Sequence, residues 1–305
     1  MESIAPLLAA SINAGTPLML AALGLLINEK SGVVNLGAEG MMLVAAIIGF
    51  ATTVHSGSVV LGFIAGAMAG MLLSGFFGWM TVWLGTNQYA TGLALSLFGA
   101  GASTYIGINY VGNSLHNGKF AIPWLEHIPF LGVALFRQHP MVYLSLLLCA
   151  GSAWFLYRTR AGLVLRAVGE SPSSAHALGY NVRRIRLAAI LFGGACCGLA
   201  GAFLSLVYTP LWVEGMVAGR GWIALALTTF ATWRPARVVG GAYLFGGVTI
   251  LTFHAQGLGV PVASQLLSML PYLATIVVLV LISSNANYIK LNMPASLGKH
   301  FSPDN

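Results

Sequence analysis

Apolar residues run along this chain in long blocks separated by short polar stretches. The blocks cover roughly 4–27, 33–54, 58–84, 89–109, 140–157, 187–208, 216–232, 238–256 and 262–283. A helix needs roughly 20 mainly apolar residues to cross a hydrocarbon core about 30 Å thick. Each block is therefore a candidate span, and the chain reads as an all-α polytopic membrane protein with eight to ten crossings. Some blocks are short or interrupted by glycine. Backbone groups in lipid need internal partners, so these blocks predict broken or re-entrant helices buried within the bundle. The reading gives one membrane domain over 1–283, with a polar loop at 158–186, and a separate tail over 284–305.

The polar stretches set the orientation. Between Arg158 and Arg186 lie Arg158, Arg160, Arg166, Arg183, Arg184 and Arg186, six of the fourteen basic residues. Cytoplasmic loops carry the excess of Lys and Arg, which places this loop inside the cell. Alternation then puts Arg234, Arg237 and the tail with Lys290 and Lys299 inside as well, and the segment from Tyr110 to His139 outside. Nine crossings place the N-terminus outside; a tenth hidden in the first 50 residues places it inside. Glu2 stands where a secretory signal carries a cation, so no cleaved leader is expected.

Composition narrows the function. With 57% hydrophobic and 7% charged residues and a mean hydropathy of +0.84, most of the chain belongs in lipid. The net charge of +7 resides in loops, so nucleic acid is not an expected partner. No G-x-x-x-x-G-K-[ST] run is present to cradle phosphates, and the only aspartate is Asp304, in the tail. The seven histidines, from His55 to His300, lack metal spacing, and Cys149, Cys196 and Cys197 lie in apolar runs as small interior residues. Neither an ATPase nor a membrane hydrolase fits. Gly62, Gly66 and Gly70, and later Gly193, Gly194, Gly198 and Gly201, have spacings that bring helix backbones together and predict packing seams.

A few polar groups inside apolar sequence are candidates for a transport pathway or gate. Asn35 and Glu39 lie one helical turn apart. A carboxylate at mid-membrane costs about 2.5–3.5 kcal/mol on insertion scales, so Glu39 should face the bundle interior, a partner or water. Glu39-Gly40 and Arg220-Gly221 share a small, charged, glycine, apolar order, the mark of an inverted repeat. Such repeats bring matching broken helices together near the midplane, which suggests a Glu39–Arg220 pair; the alternative leaves both at opposite interfaces with water. Asn87, Gln88 and Thr91 form a polar patch that either reads a neutral ligand or caps helices, and Glu214 is a further isolated group. Glu39 or Glu214 could also serve a proton-coupled secondary transporter. In the cytoplasmic loop, Ser171 and Pro172 start a short helix over Ser173 to Leu178 that Gly179 ends. A helix that short needs a docking partner, unless the loop is a solvated basic segment that only sets topology.

Three motifs carry a family resemblance over nearly the whole chain. They are the run Glu29 to Val44, the loop Leu163 to Pro172 with Gly179 to Arg184, and Gly219 to Ala226. Together they resemble the permeases of the branched-chain amino acid, ribose and nucleoside branch of ATP-binding cassette importers, the nucleoside (guanosine-type) permeases most of all. The segment Tyr89 to Ser96 departs from those permeases, which more often show Val-Val-Ser-Gly and an Asn near Ser96. The resemblance implies that Ser171 to Leu178 is a coupling helix seated in a cytoplasmic ATPase, with Arg166, Gly169, Glu170, Ser171, Pro172, Ala175, His176, Gly179 and Arg183 serving that coupling. It further implies a homologous sister permease in a heterodimer, an extracytoplasmic substrate-binding lipoprotein and a small-molecule substrate. ATP and Mg sit on the partner ATPase, and this chain binds no cofactor. The ligand implied is a nucleoside, with ribose or a branched-chain amino acid as alternatives, imported across a bacterial or archaeal plasma membrane.

Overall fold

The computed structural model describes residues 4–115, 132–257 and 292–302, with single helical positions between 266 and 280. The last apolar block at 262–283, most of the outer segment between Tyr110 and His139, and Lys290 lie largely or wholly outside the described residues.

The chain is helical, as its apolar blocks dictate. In order the helices are α1 (Ile4–Lys30), α2 (Ala38–Ser56), α3 (Val59–Gly78), α4 (Gln88–Gly107), α5 (Pro140–Arg158), α6 (Arg160–Glu170), α7 (Pro172–Ala177), α8 (Val182–Phe203), α9 (Arg220–Phe230) and α10 (Pro235–Gly257). Among the described residues, seven helices are long and apolar enough to cross a membrane: α1, α2, α3, α4, α5, α8 and α10. Two of them, α3 and α8, continue into π-helical turns, Trp79–Trp83 and Leu204–Tyr208. The block at 216–232 reads as apolar throughout, yet its helix α9 has only 11 residues. Its helix starts late because Ala218 and Gly219 have positive φ angles of 51° and 80° and turn the chain first. The expectation of a broken helix there holds.

Glycine sets how closely the helices approach. A Cβ on Gly66 would lie 2.8 Å from the Cβ of Ala202, and one on Gly70 would lie 2.8 Å from the Cα of Gly198, so α3 and α8 meet backbone to backbone. Along α1, a Cβ on Gly24 would lie 2.7 Å from the carbonyl oxygen of Gly193. Helix α8 is therefore the central post, with α1, α2 and α3 around it. Lipid tails are as apolar as leucine and supply no hydrophobic drive between helices, so close backbone packing has to hold the bundle. The seams predicted from glycine spacing are real, and Cys149, Cys196 and Cys197 are all buried within the bundle.

Chain direction resolves the orientation question. Lys30, at the C-terminal end of α1, donates to the carbonyl of Asn292 at 2.7 Å, and the same tail meets Gly169 at the end of α6. Helix α1 therefore ends on the face that carries the 158–186 loop and starts on the opposite face. Residues 4–50 hold only α1 and part of α2, so no further crossing is hidden in them.

Candidate functional site

Two broken elements meet inside the bundle. After α1 the chain runs without helix from Ser31 to Gly37 before α2 starts; after α8 it runs likewise through 209–219 before α9. The first turns of α2 and α9 then abut: a Cβ on Gly221 would lie 2.5 Å from the nitrogen and 2.6 Å from the Cα of Glu39. Two helix N-termini with unpaired N–H groups, each equivalent to roughly half a positive charge, face each other there. Glu39 sits between them, in the first turn of α2. Gly219 N–H donates to its Oε1 at 2.8 Å and Gly221 N–H to its Oε2 at 2.7 Å. The carboxylate thus closes the start of α9 with two charge-assisted bonds.

The inverted-repeat reading brings Glu39 and Arg220 to one junction, but not as a side-chain pair. Glu39 is bound by the amides on either side of Arg220. The guanidinium turns back, its Nη1 donating to the carbonyls of Met216 at 3.2 Å and Val217 at 3.1 Å, over the ring of Tyr208 at 5.4 Å. The helix start offers aligned N–H donors that a carboxylate fits better than a side chain already satisfied by its own loop. Beside this junction, Arg220, Thr249, Thr252 and Gln256 help line a cavity of about 170 Å³ between α1, α9 and α10.

The other pathway candidates serve the non-helical segment 31–37. Asn35 Oδ1 accepts from Gly37 N–H at 2.8 Å in a local turn, while its buried Nδ2 has no hydrogen-bond partner among the described residues. Gln88 Oε1 accepts from Val34 N–H at 2.8 Å, and Ser96 Oγ donates to the carbonyl of Leu36 at 2.7 Å. Helix α4 therefore supplies what lipid cannot, partners for exposed backbone. Asn87 caps α4, accepting from Tyr89 N–H at 2.9 Å and Ala90 N–H at 3.1 Å, and Thr91 donates to Thr86 at 2.9 Å. Within the polar patch, Asn87 alone caps a helix, while Gln88 bonds Val34 and Thr91 bonds Thr86. Glu214 is exposed and accepts from Thr104 at 3.2 Å.

The loop at 158–186 folds as α6, α7 and the start of α8. Ser171 caps α7, accepting from Ser174 N–H at 3.3 Å, Pro172 takes the first helical position, and Gly179 leaves the helix with a φ of 88°. Helix α7 covers Pro172–Ala177, one residue earlier at each end than the expected Ser173 to Leu178. Ala175 packs with Val168 and Val182 in a small satellite core. His176 stands edge-on to Phe301 at 5.7 Å, Arg166 lies over Tyr157 at 5.4 Å, and Glu170 accepts from Ala295 N–H at 3.4 Å. A Cβ on Gly169 would collide with the carbonyl of Lys30, so α6 is fitted directly against the end of α1. Arg183 and Gly179 line an open cavity of about 250 Å³ at this face.

Three groups escaped the sequence reading as site residues. Glu29, buried at the end of α1, accepts from Trp233 Nε1–H at 2.5 Å and from Thr228 Oγ–H at 3.0 Å, at the end of α9. Arg186, read only as a topological charge, is buried and bonded to Ser31, Ser296 and Lys299. The tail 292–302 lies across these elements. A carboxylate at the close of an apolar block was the available signal for Glu29; the tail offered none.

Comparison with known proteins agrees with this layout. The family described as branched-chain amino acid transport system / permease component matches residues 7–282. A putative glucose ABC transporter permease of Haloferax volcanii is 40% identical over 97% of both chains. A nucleoside ABC transporter permease of Lactococcus lactis is 32% identical, covering 90% of this chain and 94% of its own. A guanosine ABC transporter permease of Bacillus subtilis is 30% identical, covering 93% and 94%. No solved structure matches.

Proposed function

Because the chain belongs to the branched-chain amino acid transport system permease family of ABC transporters, and is a multi-pass plasma-membrane protein, we propose that it imports nucleosides as one half of an alternating-access pathway. The observation that carries this reading is the Glu39 junction. Two broken helices from opposite halves meet N-terminus to N-terminus through two hydrogen bonds and close backbone contact, an arrangement that suits a central gate. A binding protein delivers the solute on the face of the 209–219 loop, and a partner ATPase docked on α7 drives the change with its own ATP and Mg. This chain supplies the pathway and hydrolyses nothing, and a homologous sister chain supplies the other half.

A neutral, hydroxyl-bearing solute suits what lines the interior. Glu39 is taken up by the amides of α9 and Arg220 by carbonyls, and the cavity wall is mainly apolar, with Gln256 and two threonines, Thr249 and Thr252, whose hydroxyls donate to the carbonyls of Phe245 and Val248. Two nucleoside-type relatives at 32% and 30% identity favour a nucleoside; the glucose-type relative at 40% favours a hexose as the second reading. Proton coupling has less support, because Glu39 is fully engaged by donors and Glu214 is an exposed loop residue.

The test is uptake of labelled guanosine, adenosine, uridine, ribose, glucose and leucine in cells with and without the gene. Selective loss of nucleoside uptake supports the proposal, and selective loss of glucose uptake moves the ligand to the second reading. Uptake that collapses with an uncoupler while ATP stays high would end the ATP-driven reading.

A further inference from the structure

The tail segment Asn292–Phe301 is bound far more thoroughly than a free terminus would be. Ser296 donates to the carbonyl of Gly169 through both its N–H, at 3.0 Å, and its Oγ, at 2.6 Å. Gly298 N–H donates to the carbonyl of Gly32 at 3.1 Å. The buried Arg186, on α8, holds two other stretches of chain at once: Nε donates to Ser31 O, and Nη1 and Nη2 donate to Lys299 O and Ser296 Oγ of the tail, each at 3.2 Å. The tail therefore links the end of α6 to the start of the non-helical segment 31–37, which leads directly to Glu39.

Its last described turn reaches α7. Phe301 stands edge-on to His176 at 5.7 Å and packs against the satellite core of Val168, Ala175 and Val182. Phe301 and His176, with Tyr180 and Arg183, wall a solvent-open cavity of about 250 Å³ on the flank of α7. Its walls are aromatic rings and its rim carries a cation. Such a socket fits an apolar side chain next to a carboxylate. Leu178, 77% exposed, stands at the C-terminal end of α7.

We propose that Asn292–Phe301 is a coupling strap: Phe301 forms one wall of the socket that receives the cytoplasmic ATPase, and Ser296 and Gly298 tie that socket to the 31–37 segment. The inference rests on the ATP-driven reading above. It adds to the loop's own bond from Arg186 to Ser31 a second connection, packing of Phe301 on α7 followed by hydrogen bonds from Ser296 to Gly169 and from Gly298 to Gly32.

The experiment titrates the partner ATPase onto full-length permease in nanodiscs and measures uptake in cells, for wild type, F301A, F301Y and L178E. F301A should weaken ATPase binding about three- to tenfold, the loss of one aromatic contact, and lower uptake, with F301Y restoring both. F301A with wild-type affinity and uptake, alongside an impaired L178E, would overturn the strap and leave the ATP-driven reading standing. If L178E is also indistinguishable from wild type, both fail together. The melting temperature of the isolated permease is recorded in parallel. A fall in F301A that accounts for the lost binding would also overturn the strap, because the effect would then be unfolding.

Discussion

Glu29 and Glu39 hold opposite ends of the same short helix. Glu39 binds the N–H groups of Gly219 and Gly221 where α9 starts, and Glu29 binds Thr228 and Trp233 where it ends. Both carboxylates come from the first half of the chain, on either side of the non-helical segment 31–37. The position of α9 is thus dictated at each end by the α1–α2 connection. Movement of that connection carries α9 with it.

Removing the Glu39 carboxylate strands two part-buried N–H groups, each costing up to about 1–3 kcal/mol when left without a partner. Glu39→Ala should therefore lower thermal stability in detergent and abolish uptake, while Glu39→Gln, which keeps one acceptor oxygen, should retain part of both. Exchanging the charges, Glu39→Arg with Arg220→Glu, should rescue neither single reversal, because the guanidinium is not the partner. Rescue by the double exchange would contradict the geometry.

Gly221 tolerates no side chain. Its Cβ would meet Glu39 backbone at 2.5–2.6 Å, so Gly221→Ala must push the two helix starts apart. Overpacking of this kind costs about 1–3 kcal/mol. The larger expected effect is on transport, with uptake falling more than protein abundance in the membrane. Equal falls in the two would place the damage in folding alone.

At the other end of α9, Trp233→Phe removes the indole donor to Glu29 and leaves a smaller aromatic ring in its place. A hydrogen bond to a charged group is worth about 1.5–3 kcal/mol, and a loss in that range is expected from chemical denaturation. Glu29→Gln and Trp233→Phe should be non-additive, with a coupling energy of about 0.5–3 kcal/mol, as for any pair in direct contact. Strict additivity would show that the contact does not form.

Asn87 separates a capping role from a ligand-reading one. As the N-cap of α4, it should cost about 0.5–2 kcal/mol on change to Ala and little on change to Ser or Asp. Solute preference should stay the same across all three variants. Altered selectivity in competition assays, at unchanged stability, would instead return Asn87 to the pathway.

Much of this architecture was legible in the sequence because the bilayer is a demanding solvent. The apolar blocks mark the helices, and the repeated order around Glu39 and Arg220 points to the junction where they meet. Ser171, Pro172 and Gly179 mark α7 by local chemistry alone. What could not be read was the choice of partner. Glu39 prefers two backbone amides to a guanidinium only because α9 starts with its N–H groups aimed at it, a fact of tertiary geometry. Gln88 reads as part of a polar patch, and Ser96 only as the end of a divergent segment, until the bare backbone of Val34 and Leu36 is placed beside them. The tail 292–302 has no periodicity or capping signal, since its bonds are to the distant carbonyls of Gly32 and Gly169.

The junction also fixes how the membrane voltage can act on this protein. Glu39 contributes one negative charge, and the two helix starts around it contribute roughly half a positive charge each. Arg220, at the start of α9, adds one positive charge. When α2 and α9 part, Glu39 travels with the first and Arg220 with the second, so motion along the membrane normal carries opposite charges in opposite directions, at about 2.3 kcal/mol per elementary charge per 100 mV. At this point of the cycle the membrane potential therefore acts on the step as well as the partners do.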